Sequence, residues 1–434
     1  MAQNLPHLPD WEQVSTNIIR IMGGNPSKFT LQGTNTYLLG SGASRILIDT
    51  GSGEKKWIDT VRVVLNSATA KPLHISTCLL THWHHDHLGG VTDLERLSAE
   101  LNPAHELKVY KNLPTWNPDS LIDPSRVHDI HDGQEFVTGG GNGNDDDDDA
   151  SSFAIQAIHT PGHAKDHMVF QITRSPDASE IGALFTADNV LGHGTAVFED
   201  LQLYLQSLDV MKRRVVDAVA TQQRQRQQDT RQSGISDSDS DSSPGSISGG
   251  PNSSAHAAAR AHVSVSTGST TTTTTAATTT TTTITKRAYP GHGQVIDDAV
   301  GKIDEYIAHR RMREEEALNV LKYGTVNSPR STTPVVHDSI TATGKGENES
   351  DASAAEPGAR ESGSGPKEVI VGKEWDSMEM VRVIYRHYPE NLWEPAEKGL
   401  LMVLEKLKRD GRVVCVGASG QARGKWRLSE KATL

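Results

Sequence analysis

Two cysteines, Cys78 and Cys415, are all that this chain of 434 residues contains, and they lie far apart. That scarcity excludes a disulfide framework and points to a reducing compartment. No run of 18 apolar residues occurs, which excludes a hydrophobic helix long enough to span a bilayer, so no membrane partner is expected. The opening segment, MAQNLPHLPDWEQ, lacks both an apolar core and a basic leader. It reads as neither a secretory signal nor a transit peptide, and a soluble cytoplasmic protein is the expectation. Positive charge is in the minority: 43 Lys and Arg stand against 55 Asp and Glu, a formal net charge of -12. An acidic chain repels phosphates and is a poor non-specific binder of nucleic acid, although a local basic patch stays possible. Histidine is plentiful instead, with 19 in the chain, several of them clustered.

Composition shifts divide the chain. Gly139 to Ser152 reads GGGNGNDDDDDASS, and the stretch from about Gln222 to Thr285 passes from Gln and Arg through SDSDSDSS to two six-threonine tracts. Residues 326–366 are again rich in Ser, Thr, Gly and Glu. Segments with so few apolar side chains cannot offset the entropy of ordering, and they are expected to be disordered insertions (about 139–152 and 222–285) and a linker (326–366). Two folded blocks are left, a domain over 12–325 and a second over 367–434. In the first, Asn35–Leu39 and Arg45–Asp49 read as strands of a hairpin, Thr77–Thr81 as a buried strand, and Gly90–Leu101 as a helix with Val91, Leu94, Leu97 and Leu101 on one face. Strands follow at Leu107–Tyr110, Phe153–Ile158, Met168–Ile172 and Ala183–Thr186, then a helix over Glu199–Val219. This order fits a sheet-rich α/β sandwich.

Four segments each place a metal-binding side chain just after an expected strand: His82-Trp83-His84-His85-Asp86-His87, Pro161-Gly162-His163, Ala187-Asp188-Asn189, and Pro290-Gly291-His292. Five ionisable groups in six residues have little packing value, whereas imidazole and carboxylate suit zinc. His82 and His84 can point to one side of an extended loop, and Asp86 and His87, at a helix start, to a neighbouring position, so one segment can serve two metals. His163 and His292 sit on Pro-Gly turns that aim a side chain sharply from a strand end. Asp188 has two oxygens and can bridge two ions about 3.5–4 Å apart that share a hydroxide. Asp86 and Asp188 are therefore the candidate catalytic carboxylates.

At these residues the chain resembles the metallo-β-lactamase superfamily. The resemblance implies an αββα sandwich with two zinc ions per chain. It implies one site from His82, His84 and His163, a second from Asp86, His87 and His292, and Asp188 between them. Asp49, in Ile46-Leu-Ile-Asp-Thr-Gly51, matches the family's strand-end aspartate, which supports the ligand loop without binding metal. Leu31-Gln-Gly-Thr-Asn-Thr-Tyr37, His163-Ala-Lys-Asp-His167, Gly194–Asp200, Tyr306-Ile-Ala-His-Arg310 and Val383–Leu392 resemble more closely the eukaryotic lactamase-β-like group. That group implies either of two activities. One is a fungal lactamase-like thioesterase that releases a polyketide from an acyl carrier protein, by metal-bound hydroxide attack, in secondary metabolism. The other is an endoribonuclease acting on single-stranded RNA.

The carboxy-terminal block carries two helical patterns, Ser377–Tyr385 and Pro395–Arg409, followed by strands at Arg412–Val416 and Lys425–Leu428. Two helices and a β-ribbon read as a small winged-helix-like domain. From Lys367 onward it holds 13 Lys and Arg against 10 Asp and Glu, and aromatics interleave with basic residues only weakly, so a structural cap is preferred to an RNA-docking platform. The acidic charge and the absence of a basic track near the ligand loops favour the thioesterase over the ribonuclease, with other small-ester or lactam hydrolysis as a third reading. Deleting roughly Gln232 to Ala276 is expected to leave activity nearly intact, because the segment has nothing to pack with. Thermal melting and turnover of the deletion check this, and a large loss in either would show that the segment folds against the core.

Overall fold

Alternating apolar side chains set the layers of the molecule. The computed structural model describes residues 5–67, 72–138, 152–233, 285–327, 373–417 and 424–430. Its first sheet follows chain order: β1 (Trp11–Ser15), β2 (Ile18–Met22), β3 (Asn35–Leu39), β4 (Ser44–Ile48), β5 (His74–Leu80), β6 (Lys108–Lys111) and β7 (Val127–Asp129). Pairing is antiparallel from β1 to β4 and parallel from β4 to β7. Parallel neighbours need crossovers, here α1 (Lys55–Asn66) between β4 and β5, and α2 (His85–Leu88) with α3 (Val91–Leu101) between β5 and β6. The second sheet is built from β8 (Glu135–Thr138), β9 (Phe153–His159), β10 (Met168–Arg174), β11 (Leu184–Ala187) and β12 (Ala288–Pro290), in the order β12-β11-β10-β9-β8. Only β11 and β12 pair in parallel within it, and α4 (Leu201–Ser233) lies between them in sequence.

Period-2 alternation gives each sheet two apolar faces. Tyr37, Leu39, Ile46, Ile48 and Leu79 of the first sheet meet Phe153, Ile155, Met168, Phe170 and Phe185 of the second in one buried cluster. The intervening residues Leu38, Leu47, Cys78 and Leu80 point the other way, onto Trp57, Val61 and Val64 of α1 and Leu94 and Leu97 of α3. On the far side of the second sheet, Ile158, Val169 and Leu184 pack with Tyr204, Leu208 and Met211 of α4 and with Ile303, Tyr306 and Ile307 of α5 (Ala299–Tyr323). The result is the αββα sandwich expected from the sequence, each fully buried large side chain contributing about 1.5–3 kcal/mol. The two helices of the outer layer, α4 and α5, begin on side-chain caps: Asp200 accepts from the backbone N–H of Gln202 and Leu203, and Asp298 from that of Gly301.

The carboxy-terminal block comprises β13 (Trp375–Asp376), α6 (Ser377–Ile384), α7 (Trp393–Arg409), β14 (Val413–Val416) and β15 (Lys425–Leu428), with a small sheet ordered β13-β15-β14. Asp376 and Glu379 form a capping box at the start of α6. Met380, Val381, Leu400, Leu404 and Leu407 join the same buried cluster as α4 and α5. At the edge of that contact Lys406 Nζ lies 2.8 Å from Glu314, and Arg409 lies 2.8 Å from Asp200. The winged helix therefore shares its core with the outer helical layer.

Three expected boundaries move. Residues 222–233 belong to α4 and not to an irregular insertion, because Gln and Arg are good helix formers and no Gly or Pro interrupts them. Val326 and Ser152 are buried, and the Val326 carbonyl accepts a hydrogen bond from Asn319, so the expected linker begins later and the first insertion ends earlier. The remainder of the expected disordered segments (139–151, 234–284 and 328–366) lies outside the described residues. Strands β1 and β2 and helix α1 were not foreseen, and α5 far exceeds the short motif noticed within it. Among the described residues no helix is long and apolar enough to cross a membrane. Leu404→Ala, which empties a site shared by the two blocks, is expected to cost about 2–5 kcal/mol and to lower one melting transition of the whole chain. Calorimetry showing a separate early transition, with the main one unmoved, would mean that the winged helix unfolds independently.

Candidate metal centre

Strands β4 and β5 are parallel, so their carboxyl ends emerge side by side, and the loops after them carry Asp49 and His82. Asp49 has φ 60°, in the left-handed region that a non-glycine residue occupies only where its surroundings hold it. Its carboxylate accepts from the Thr81 N–H at 2.8 Å, the Thr81 hydroxyl at 2.9 Å and His87 Nδ1 at 2.7 Å. The Thr50 N–H donates to the His87 carbonyl at 2.7 Å. These bonds fix the one-turn helix α2, with Asp86 and His87, against the end of β4. They also commit His87 Nδ1 and turn Nε2 toward the other side of the cluster.

Three imidazole nitrogens converge above this loop. His82 Nε2 lies 2.9 Å from His84 Nδ1 and 3.2 Å from His163 Nε2, and His163 Nε2 lies 3.1 Å from His84 Nδ1. A four-coordinate ion about 2.0–2.1 Å from each nitrogen holds its donors about 3.3 Å apart, so this triangle has the size a cation requires. A second group stands beside it: His292 Nε2 is 3.2 Å from Asp86 Oδ2, and His87 Nε2 is 3.5 Å from the same oxygen. The Asp188 carboxylate faces both groups, Oδ2 lying 3.3 Å from His292 Nε2 and 3.8 Å from His163 Nε2, and Oδ1 3.4 Å from His87 Nε2. His87 Nε2 and Asp188 Oδ1 are buried without a hydrogen-bond partner. Buried polar atoms left unpaired cost free energy unless something outside the chain satisfies them.

Each remaining segment is held by its own backbone contacts. His163 Nδ1 donates to the Val197 carbonyl at 2.8 Å, which leaves Nε2 as the free lone pair. The segment around Val197 is pinned from α5: Arg310 donates to the Ala196 carbonyl at 2.6 Å and the Tyr306 hydroxyl to the Gly194 carbonyl at 2.9 Å. The His292 turn is clamped from β3, where Asn35 Nδ2 donates to the carbonyls of Pro290 and Gly293, each at 2.9 Å, and the Tyr37 hydroxyl donates to that of Pro290 at 2.8 Å. Gly291 is required at its position, since a Cβ there would sit 2.3 Å from Asp188 Oδ1.

Burial disfavours charge on His82, His84, His87 and His292. It carries His82 well below the usual imidazole range and His84 down to about 4, with the neighbouring imidazoles adding to the effect. Burial also acts against His87 and His292, but the carboxylates overcome it. Asp86, Asp188 and Asp49 hold His87 well above its ordinary value, and Asp188, with Asp86, raises His292 to about 9. The cluster thus sets His82 and His84, held neutral, against His87 and His292, which the carboxylates pull toward the protonated form.

All seven residues singled out as candidate ligands are brought together, and groups able to hold an ion are His82–His84–His163, His82–His87–Asp188 and Asp86–His87–His292. His82, His87, His163, Asp188 and His292 are buried, while His84 and Asp86 are half-buried and mark the open side. Within the motif, His85 points outward, and the half-buried Trp83 packs its ring 4.5 Å from that of His84. Sequence reasoning gave no role to His167, whose Nε2 accepts the Asp188 N–H at 3.3 Å and whose Nδ1 meets the Thr160 hydroxyl at 3.0 Å. It also passed over Lys111 and Asp166, buried together beside these loops. The available signal was charge: Asp166 and His167 stand immediately before the apolar strand β10, where a polar pair needs partners.

Comparison with known proteins agrees with this architecture. Residues 29–222 match the metallo-beta-lactamase superfamily and residues 377–426 the beta-lactamase associated winged helix domain. The chain is 47% identical over 208 residues to the lactamase-like protein adaB of Aspergillus niger, a match covering 48% of this chain and 55% of that protein. It is 40% identical over 210 residues to the atrochrysone carboxyl ACP thioesterase of Claviceps purpurea, covering 48% and 57% respectively. The chain thus spans little more than half the length of these relatives. A solved β-lactamase domain protein from Burkholderia ambifaria shares the fold, with a TM-score of 0.53 at 13% identity, covering 99% of this chain and 98% of that one. Residues 29–222 thus form a metallo-β-lactamase superfamily domain, and residues 377–426 that superfamily's associated winged helix.

Proposed function

We propose that the protein is a hydrolase dependent on two zinc ions that releases an acyl group, of polyketide type, from an acyl carrier protein thioester. The observation that carries the reading is the Asp188 carboxylate, which reaches toward His163 on one side and toward His87 and His292 on the other. His82, His84 and His163 would hold one ion, Asp86, His87 and His292 the other, and Asp188 would contact both. A donor set of imidazole and carboxylate suits zinc. When bound, such ions supply Lewis acidity and lower the pKa of water toward neutrality.

The protein's own groups do the positioning. Val197 fixes the tautomer of His163, and Asp49 that of His87. Thr34 Oγ1, 3.4 Å from Asp86 Oδ2, restrains the carboxylate on the open side. Gly291 leaves room for Asp188 to lie across the cluster. Half-buried His84 and Asp86 leave that side accessible to a carbonyl at the end of a long arm. Support for a thioester comes from the relative named an atrochrysone carboxyl ACP thioesterase, and the net charge of -12 is unfavourable for RNA.

Incubation with an acyl carrier protein loaded with an aromatic polyketide thioester is expected to release free acid, with zinc-chelator treatment abolishing the reaction and added zinc restoring it. A single-stranded RNA oligonucleotide in parallel is expected to stay intact. Cleavage of the RNA with no thioester turnover would reverse the choice of substrate. Asp188→Ala is expected to reduce turnover by about a hundredfold or more, since a displaced reacting group of about an ångström costs that much, and to lower the metal content from two ions to one. A variant that keeps two ions and near-normal turnover but melts earlier would instead make Asp188 a local cap worth about 1 kcal/mol. Gly291→Ala, with its Cβ forced against Asp188 and His87, is expected to show the same loss of metal by elemental analysis.

A further inference from the structure

His167 is a buried imidazole that the proposed reaction does not use. It closes the loop between β9 and β10 that carries His163, and it is fully shielded from solvent. Its Nε2 accepts the Asp188 N–H at 3.3 Å. A ring nitrogen that accepts carries no proton, so the proton is on Nδ1, which donates to the Thr160 hydroxyl at 3.0 Å. The Thr160 N–H in turn donates to the His167 carbonyl at 2.9 Å. The ring is thereby fixed at both nitrogens. With its lone pair committed to an N–H, His167 is not a further metal ligand, although its ring centroid lies 5.2 Å from that of His82 and 5.6 Å from that of His163.

What the ring holds is the turn that presents Asp188. Ala187, with φ 43°, occupies the left-handed region, where a residue with a Cβ stays only if its surroundings impose it. Those surroundings are hydrogen bonds on either side of Asp188. The Gly291 N–H donates to the Ala187 carbonyl at 2.8 Å, Asn189 Nδ2 to the Thr160 carbonyl at 3.0 Å, and the Tyr204 hydroxyl to the Asn189 carbonyl at 2.6 Å. Thr160 serves twice, its hydroxyl orienting the His167 ring and its carbonyl anchoring Asn189. Thr160, His167, Asn189 and Tyr204 are all fully buried, so water does not compete for these bonds. The Asp188 side chain departs from the middle of this frame, and its oxygens face His163 on one side and His87 and His292 on the other. A shift of the backbone here moves the carboxylate against both groups at once.

We propose that His167 is a positioning residue for the candidate metal centre: its Nε2 fixes the backbone of Asp188, and through it the carboxylate that lies between the two groups of histidines. The inference rests on the metal-dependent reading of Asp188. Because His167 ends the loop that carries His163 and accepts from the loop that carries Asp188, one hydrogen bond sets the distance between two segments that supply candidate ligands. Thr160 acts one step further out, by holding the ring in the orientation that turns Nε2 toward Asp188.

Zinc affinity, read by competition with a chromophoric chelator, separates positioning from packing. His167→Leu fills the site but removes the acceptor, and its affinity for the more weakly held ion is expected to fall about 10- to 100-fold, the usual effect of losing a group that orients ligands. His167→Gln can place an oxygen near the position of Nε2 and is expected to recover most of that loss. Thr160→Val, which frees the ring, is expected to move affinity in the same direction as His167→Leu. In an Asp188→Ala background, His167→Leu is expected to add little further loss, since effects that run through one group do not add. His167→Leu folding, by circular dichroism, with wild-type zinc affinity overturns the proposal and leaves the residue a packing group. A glutamine variant no better than the leucine variant, or a full further loss in the Asp188→Ala background, overturns it as well. Should His167→Leu fail to fold, Thr160→Val carries the test, and unchanged affinity there overturns the proposal. Failure of the wild type itself to bind zinc overturns the metal-dependent reading and this inference with it. Normal binding by wild type and variants alike overturns the inference only.

Discussion

The Asp49 carboxylate is the contact on which the rest of the centre depends. A parallel pair of strands brings two loops to the same edge of a sheet but leaves their side chains free to turn. Asp49 removes that freedom by accepting three hydrogen bonds at once, from the backbone and hydroxyl of Thr81 and from the His87 ring. Thr81 immediately precedes His82, so the same carboxylate governs the start of the histidine loop and its last histidine. The left-handed backbone at Asp49 is consistent with that demand: a residue held in so sparsely populated a region persists only where several interactions over-determine it. Ala187, with φ 43° just before Asp188, has the same character on the second sheet. The two strained residues thus stand at corresponding places, each at the carboxyl end of a strand that delivers a carboxylate.

The αββα layering follows from that requirement as much as from hydrophobic burial. Each candidate ligand segment leaves the carboxyl end of a strand, β5, β9, β11 or β12, and the packing of the two sheets along the Tyr37–Phe185–Tyr289 aromatic cluster brings those ends together. Tyr37 lies edge-on to Phe185 and Tyr289, at 5.3 and 5.7 Å between ring centroids, while its hydroxyl reaches the Pro290 carbonyl. One side chain thereby packs the core between the sheets and sets the height of the His292 turn. On the outer face, Tyr306 and Arg310 do the equivalent for the 194–198 segment, and the winged helix packs against the same α5. The carboxy-terminal block can thus influence the site through a shared helix without contributing a side chain to it.

What was legible in the sequence and what was not divide along physical lines. Short apolar runs, such as Met168–Ile172, and helices with one apolar face, such as Gly90–Leu101, announce themselves because the local pattern is enough. The His82–His87 motif was legible because such a density of titratable groups has no packing explanation, and His163, Asp188 and His292, isolated in sequence, became candidates only in its light. Strands β1 and β2 were passed over because Arg20 interrupts the apolar run. In the fold its guanidinium is buried against Glu12 at 2.7 Å, a partner only the antiparallel pairing supplies. The extension of α4 through 222–233 was hidden by composition, since Gln and Arg read as solvent-loving before they read as helix-forming. His167, Lys111 and Asp166 were illegible for a deeper reason. Their partners lie in other loops, and no local pattern says that a lysine closing a short strand will be buried against an aspartate far along the chain.

The same long-range character explains why the cluster is uneven in charge. Burial, together with the neighbouring rings, keeps His82 and His84 neutral, the form in which imidazole offers a lone pair. His87 and His292 face Asp86 and Asp188 and are pulled toward the protonated form. Offered to a cation, His82 and His84 would already be in the required state, whereas His87 and His292 would first have to give up protons that the carboxylates stabilise. Those carboxylates also compensate its charge better than rings alone can. His82 and His84 are thus chemically unlike His87 and His292, and Asp188, which reaches toward His163, His87 and His292, is the carboxylate that faces both groups.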